Sequence, residues 1–101
     1  MKALWRDLVV AQADDDDVLE IDGAVYFPPS AIDFDLLAPS ETGYTCSWRG
    51  DARYYSIVSG DEREPDAAWG YPDMSDAALA RIGVDARGYL AFSPAVSLIH
   101  S

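Results

Sequence analysis

The side chains best suited to chemistry lie in four short aromatic segments. They are Tyr26-Phe27-Pro28-Pro29, Thr45-Cys46-Ser47-Trp48-Arg49-Gly50, Ala52-Arg53-Tyr54-Tyr55 and Ala67-Ala68-Trp69-Gly70-Tyr71-Pro72. Indole and phenol rings stack on flat or cationic groups, and a guanidinium beside them meets an anionic group with paired N–H donors. These residue types describe a site for a small molecule or a peptide side chain. Its walls would be Tyr26, Trp48, Tyr54, Tyr55, Trp69 and Tyr71, with Arg49 or Arg53 at the mouth. The same rings also describe a plain core. Each aromatic buries about 150–250 Å², and a small domain depends on that area.

Cys46 offers a second chemistry. Arg49, three residues on, favours its thiolate. That reading gives a small hydrolase or transferase using Cys46, or a tyrosine in the same cleft paired with Asp66 or Asp73 for proton transfer. No histidine base stands near in sequence, because the only histidine is His100. The plainer reading of Cys46 is a small buried hydrophobe. A third reading is a structural module whose site lies at a homodimer interface.

Composition narrows the partners. One cysteine and one histidine leave too few ligands for a conventional zinc site. The run Asp14-Asp15-Asp16-Asp17 lacks the glycine and terminal glutamate of a calcium loop, so it reads as a solvated turn. No metal and no cofactor is expected. Eighteen acidic residues against seven basic ones give a net charge of -11. Such a surface repels nucleic-acid backbones and anionic membranes. No apolar run approaches the ~20 residues that span a bilayer. The residues after Met1 form no apolar leader, so a cytoplasmic location is expected.

The elements that must position these residues are short strands. At 101 residues, half of them hydrophobic, the chain is expected to form a single domain over 1–101. Residues 2–12 read as two strands about Arg6-Asp7. Asp22-Gly23 joins strands at 18–21 and 24–27, because this pair favours a two-residue hairpin turn. Ser30 is a cap for a short helix carrying Ile32, Leu36 and Leu37, closed by Pro39. Residues 40–44 read as a polar link, and Thr45–Trp48 as the approach to a strand. Residues 52–58 and 67–71 predict an antiparallel hairpin about the turn 59–62. Alternation places Tyr54 on one face with Ala52, and Arg53, Tyr55 and Ile57 on the other. Trp69 and Tyr71 share a face of the partner strand. Ser75 caps a second helix ending at Ile82, stopped by Gly83. Residues 88–92 form a further strand and 95–99 a short last one. The whole reads as a mainly β (α+β) domain with two short helices.

Five segments taken in order resemble the bacterial DUF427 family over nearly the whole chain. They are Lys2-Ala3-Leu4-Trp5; Tyr26-Phe27-Pro28; the block Thr45, Cys46, Trp48, Arg49, Gly50, Ala52, Tyr54 and Tyr55; Ala67 to Pro72; and Gly88-Tyr89-Leu90-Ala91-Phe92. Arg49 stands where lysine is commoner, and Ser47 where proline is common. The resemblance implies a β-tent (Mss4-like) fold, in which two small sheets meet at an angle. Relatives of that fold hold zinc on paired Cys-x-x-Cys motifs or bind small ligands in aromatic cages. With Cys46 alone, this chain suits the second mode. The family is sometimes labelled a nucleotidyltransferase domain. Such transferases need a Gly-Ser helix start followed by paired metal-binding carboxylates, and Asp14 to Asp17 lack that context.

Overall fold

A computed structural model describes residues 1–100. In chain order its strands are β1 (Lys2–Trp5), β2 (Leu8–Gln12), β3 (Leu19–Ile21), β4 (Ala24–Tyr26), β5 (Leu37–Cys46), β6 (Gly50–Ser59), β7 (Glu62–Gly70), β8 (Ala91–Phe92) and β9 (Ser97–Ile99). The helix α1 (Asp76–Ile82) lies between β7 and β8. The mainly β architecture follows the sequence reading. The sheets number three among the described residues: β2-β1-β9, the hairpin β3-β4, and β5-β6-β7-β8. All named strand pairs are antiparallel. The radius of gyration, 13.1 Å, equals the ~13 Å of a compact 100-residue chain, so the three sheets belong to one body. None of the described helices is long and apolar enough to cross a membrane.

The turns obey their residue types. Asp22 and Gly23 both take positive φ, 51° and 83°, the backbone of a two-residue hairpin turn. Leu19 accordingly pairs with Tyr26. Ser75 caps α1 by accepting from the Ala78 N–H at 3.2 Å, and Gly83 ends it in the left-handed region. The helix predicted after Ser30 is absent. Residues Pro29–Ala31 and Phe34–Leu36 form two 3-10 turns instead. Tertiary pairing overrides the weak helical signal: Ile32 bridges to Ala11, and the Asp33 N–H donates to the Val10 carbonyl at 2.8 Å. A helix this short gains too little from its own hydrogen bonds to compete.

β5 is the other correction. The predicted polar link 40–44 is strand, and it passes through Pro39, paired with Tyr55. Proline is tolerated because β5 is the sheet edge and its missing donor is not needed. The register then slips between Pro39 and Gly43. The strand predicted at 88–92 shortens to Ala91–Phe92, with Leu90 held by reciprocal hydrogen bonds to Phe27 at 2.8 and 3.0 Å.

The four-stranded sheet divides two apolar cores. One contains Ala3, Trp5, Val10, Phe27, Ile57, Ala68 and Leu90, under the β2-β1-β9 sheet. The other contains Cys46, Ala52, Tyr71, Met74, Ala78 and Ala86, with Trp48, Tyr54 and Trp69 packed against it. The second core joins the central sheet to α1 and to β3.

Candidate functional site

The expected aromatic site is split by the sheet that carries it. Tyr54 pairs with Trp69 and Tyr55 with Ala68, so adjacent residues of β6 face opposite cores. Tyr54 and Trp69 lie on the α1 side with ring centroids 6.4 Å apart and planes tilted by 35°. Tyr55 packs on the other core. Arg53 shares a cavity with Tyr55, whereas Arg49 gathers with Cys46, Trp48, Tyr26 and Tyr71. Tyr71 alone of the predicted residues takes part in both groups.

The Arg49 group is built on one tight turn. Cys46 ends β5 directly opposite Gly50, which begins β6. Ser47, Trp48 and Arg49 form the loop between them. Arg49 folds back, and its Nε–H donates to Cys46 Sγ at 3.3 Å. Its Nη1 donates to the Tyr26 hydroxyl at 3.3 Å and lies 3.7 Å from Asp22 Oδ2. The guanidinium carbon stands 4.5 Å from the centre of the Tyr71 ring and 5.2 Å from that of Trp48. From the other side, Arg81 of α1 lies 4.3 Å from the Trp48 ring centre. One guanidinium thus ties β3-β4, the β5-β6 turn and the segment after β7 together.

The electrostatics follow from this geometry. The Cys46 thiol is lowered to about 7, first by the hydrogen bond from the Arg49 side chain, then by the Trp48 backbone N–H. Burial of the sulfur opposes the shift, and Cys46 is only 7% exposed. Burial pushes the Tyr71 hydroxyl up, and the Arg49 charge offsets part of that.

The Arg53 group lines a cavity of about 140 Å³. Its walls include Phe34, Tyr55, Tyr71, Pro72 and Tyr89. Phe34 stands edge-on to Tyr55, centroids 6.4 Å apart. Gly70 forms part of the wall because the backbone of Tyr89 passes too close for a larger residue: a Cβ there would meet the Tyr89 carbonyl oxygen at 2.4 Å. Arg53 is exposed and makes no ion pair or hydrogen bond among the described residues. It also borders a hollow of about 210 Å³ with Tyr54, Pro39 and Ser40 at the slipped register of β5. Trp48 borders another, about 230 Å³, with Asp22 and Arg81. The widest depression, about 910 Å³, is lined by Asp14, Asp16 and Asp17 on one side and lacks the apolar enclosure of a small-molecule pocket.

Phe34, Pro72 and Tyr89 were not singled out from the sequence as site residues. The signal for Phe34 was an aromatic at a position predicted helical, where its exposure cannot be read. The partners Asp22 and Arg81 reach Arg49 and Trp48 only through the docking of β3-β4 and α1. No pattern along the chain announces them.

No curated protein matches this chain. A family model described as a domain of unknown function (DUF427) matches residues 1–99. With its five aromatic segments in order and the match covering nearly its whole length, the chain belongs to the DUF427 family.

Proposed function

We infer that this domain is a recognition module that takes a single ring or a branched aliphatic group in the cavity between Phe34, Tyr55, Tyr71 and Tyr89, with Arg53 meeting an adjacent anion. The observation that carries the reading is an apolar, aromatic-walled cavity beside an unpaired guanidinium. Size selects the ligand. Pockets for whole metabolites run about 300–1,000 Å³, and 140 Å³ is far below that range. An apolar cavity of about 150 Å³ takes benzene. The site therefore suits one side chain of a peptide, or the ring end of a small carboxylate, and excludes a nucleotide. In a chain with net charge -11, a free arginine at the rim is the feature that selects an anionic over a cationic ligand.

Phenylacetate, benzyl alcohol and benzylamine form a matched probe series, read by amide chemical shifts. Phenylacetate binds saturably and most tightly, and benzylamine most weakly. Arg53→Gln weakens phenylacetate by about 1.5- to fivefold, the range for an exposed charge pair, and leaves benzyl alcohol unchanged. Phe34→Ala weakens all three. Absence of saturable shifts around Tyr55 and Tyr89 with every probe overturns the reading.

A further inference from the structure

The aromatic cavity does not end at its own walls. Arg53 and Tyr55 also line the hollow of about 210 Å³ at the slipped register of β5. There, residues 40–42 fall between the ladder pairs Pro39–Tyr55 and Gly43–Arg53. Neither hollow alone reaches the ~300 Å³ at which pockets for whole small molecules begin. Adjoining at Arg53 and Tyr55, they make a two-part site. The parts differ in chemistry. The first is apolar and walled by rings. The second carries the side chains of Ser40 and Thr42. Both hydroxyls donate to the Asp66 carboxylate, at 2.5 and 2.7 Å, and Ser40 Oγ also accepts from the Thr42 N–H at 3.1 Å. With its proton committed and no donor on its oxygen among the described residues, the Thr42 hydroxyl offers an acceptor only. Neither hollow is lined by an aspartate or glutamate, although the chain carries eighteen. Thr42 is exposed and β5 is the edge of its sheet, so a chain leaving the second hollow there meets solvent and not another strand.

Resting on the reading of the aromatic cavity as a site for a single side chain, we propose that the ligand is the carboxy-terminal residue of a peptide. Its aromatic or branched side chain fills the cavity, and its terminal carboxylate meets Arg53. Its backbone N–H donates to the Thr42 hydroxyl oxygen as the preceding residue crosses the second hollow. The chemistry of the walls selects this class. An unpaired guanidinium borders the cavity itself, and only the last residue of a peptide bears a carboxylate on the carbon that carries its side chain. A free amino acid bears an ammonium on that same carbon. Taking an ammonium out of water without a counter-ion is costly, and the two hollows supply none. Asp66, behind the second, already accepts from two hydroxyls. A peptide N–H is neutral and needs one acceptor, which Thr42 supplies. The net charge of -11 repels acidic residues, so neutral or basic residues precede the last one.

The full chain is titrated with acetyl-glycyl-glycyl-phenylalanine, its carboxamide, N-acetylphenylalanine, phenylalanine and phenylacetate, read by amide chemical shifts. The tripeptide acid binds tightest and shifts Thr42 together with Tyr89. The carboxamide is weaker by about 1.5- to fivefold, the range for an exposed charge pair, and Arg53→Gln erases that difference. Free phenylalanine binds more weakly than N-acetylphenylalanine. Thr42→Val keeps the shape and removes the acceptor. It weakens the tripeptide by about two- to tenfold, the range for one hydrogen bond. It weakens phenylacetate less, because that probe does not reach the second hollow, and circular dichroism checks that the variant is folded. Four results overturn the proposal while phenylacetate still binds. They are equal affinity of acid and carboxamide, phenylalanine as tight as the tripeptide, equal weakening of tripeptide and phenylacetate by Thr42→Val, and N-acetylphenylalanine as tight as the tripeptide. The last makes the ligand a small N-acyl amino acid. Absence of binding by every probe removes the ring site and both readings with it.

Discussion

Arg49 and Asp66 show how single side chains fix this molecule. Arg49 spends its donors on Cys46, Tyr26 and Asp22 while its flat face lies near two rings. A lysine at the same place keeps the charge but has no planar fork to divide among these partners. Asp66 is held in a left-handed conformation, φ 51°, where a side chain other than glycine is uncommon. The surroundings stabilise it there. Ser40 and Thr42 of β5 donate to its carboxylate at 2.5 and 2.7 Å, and its own N–H donates to the buried Ser56 hydroxyl at 3.2 Å. The Ser40 bond, then the Thr42 bond, lowers the carboxyl below its ordinary value of 3.8. A lowered carboxyl adds stability above the unfolded-state value and loses it as pH falls through the folded-state value. Asp66→Asn keeps the shape and tolerates the backbone. It lowers the melting temperature at pH 7, and the deficit shrinks as pH falls below 3.8 and closes only below the lower, folded-state value. Melting curves from pH 7 to pH 2 check this, and a deficit constant across the range counts against the carboxylate.

At the scale of elements, β6 and β7 decide which aromatic side chains meet. Alternation sends Ala52 and Tyr54 to one core, and Tyr55 and Ile57 to the other, so one hairpin supplies both aromatic groups. The cavity further depends on how closely β7 meets the segment before β8. Gly70 allows that approach, because a Cβ there would overlap the Tyr89 carbonyl oxygen and the Leu90 side chain. Gly70→Ala costs about 2 kcal/mol or more, in the range of overpacking, and widens the cavity enough to abolish phenylacetate binding. Gly43→Ala is the control. Its Cβ meets nothing within 4 Å, and reduced freedom of the unfolded chain leaves it equally or slightly more stable. Urea midpoints of the two variants settle the matter. Equal midpoints would show that the contact at Gly70 is not close.

At the scale of the whole molecule, charge is the dominant fact. The net charge of -11 is spread over a small surface, and like charges at this density oppose the compact state. Raising ionic strength from about 0.01 to 0.15 M shortens the screening length from about 30 to 8 Å. The melting temperature therefore rises over this range. A fall would mean that local pairs such as Arg6–Glu62 and Arg87–Asp85, which salt weakens, outweigh the general repulsion.

The residue order alone determined the family, the mainly β class, the Asp22-Gly23 and 59–62 turns, the capped helix at 76–82 and the acidic surface. Each rests on local rules: φ preferences, capping chemistry, period-two alternation, or the types and order of residues. It also brought Cys46 and Arg49 together, since three residues of turn keep them close in any hairpin. Only the tertiary structure decided that the aromatic segments form two side-chain groups and not one. Alternation states that Tyr54 and Tyr55 diverge, but what lies beyond each face depends on the docking of distant segments. It likewise decided that residues 30–37 give up a helix to pair with β2, and that Phe34 and Tyr89 complete a cavity. Those outcomes are set by burial between parts of the chain far apart in sequence, an energy that no local window contains.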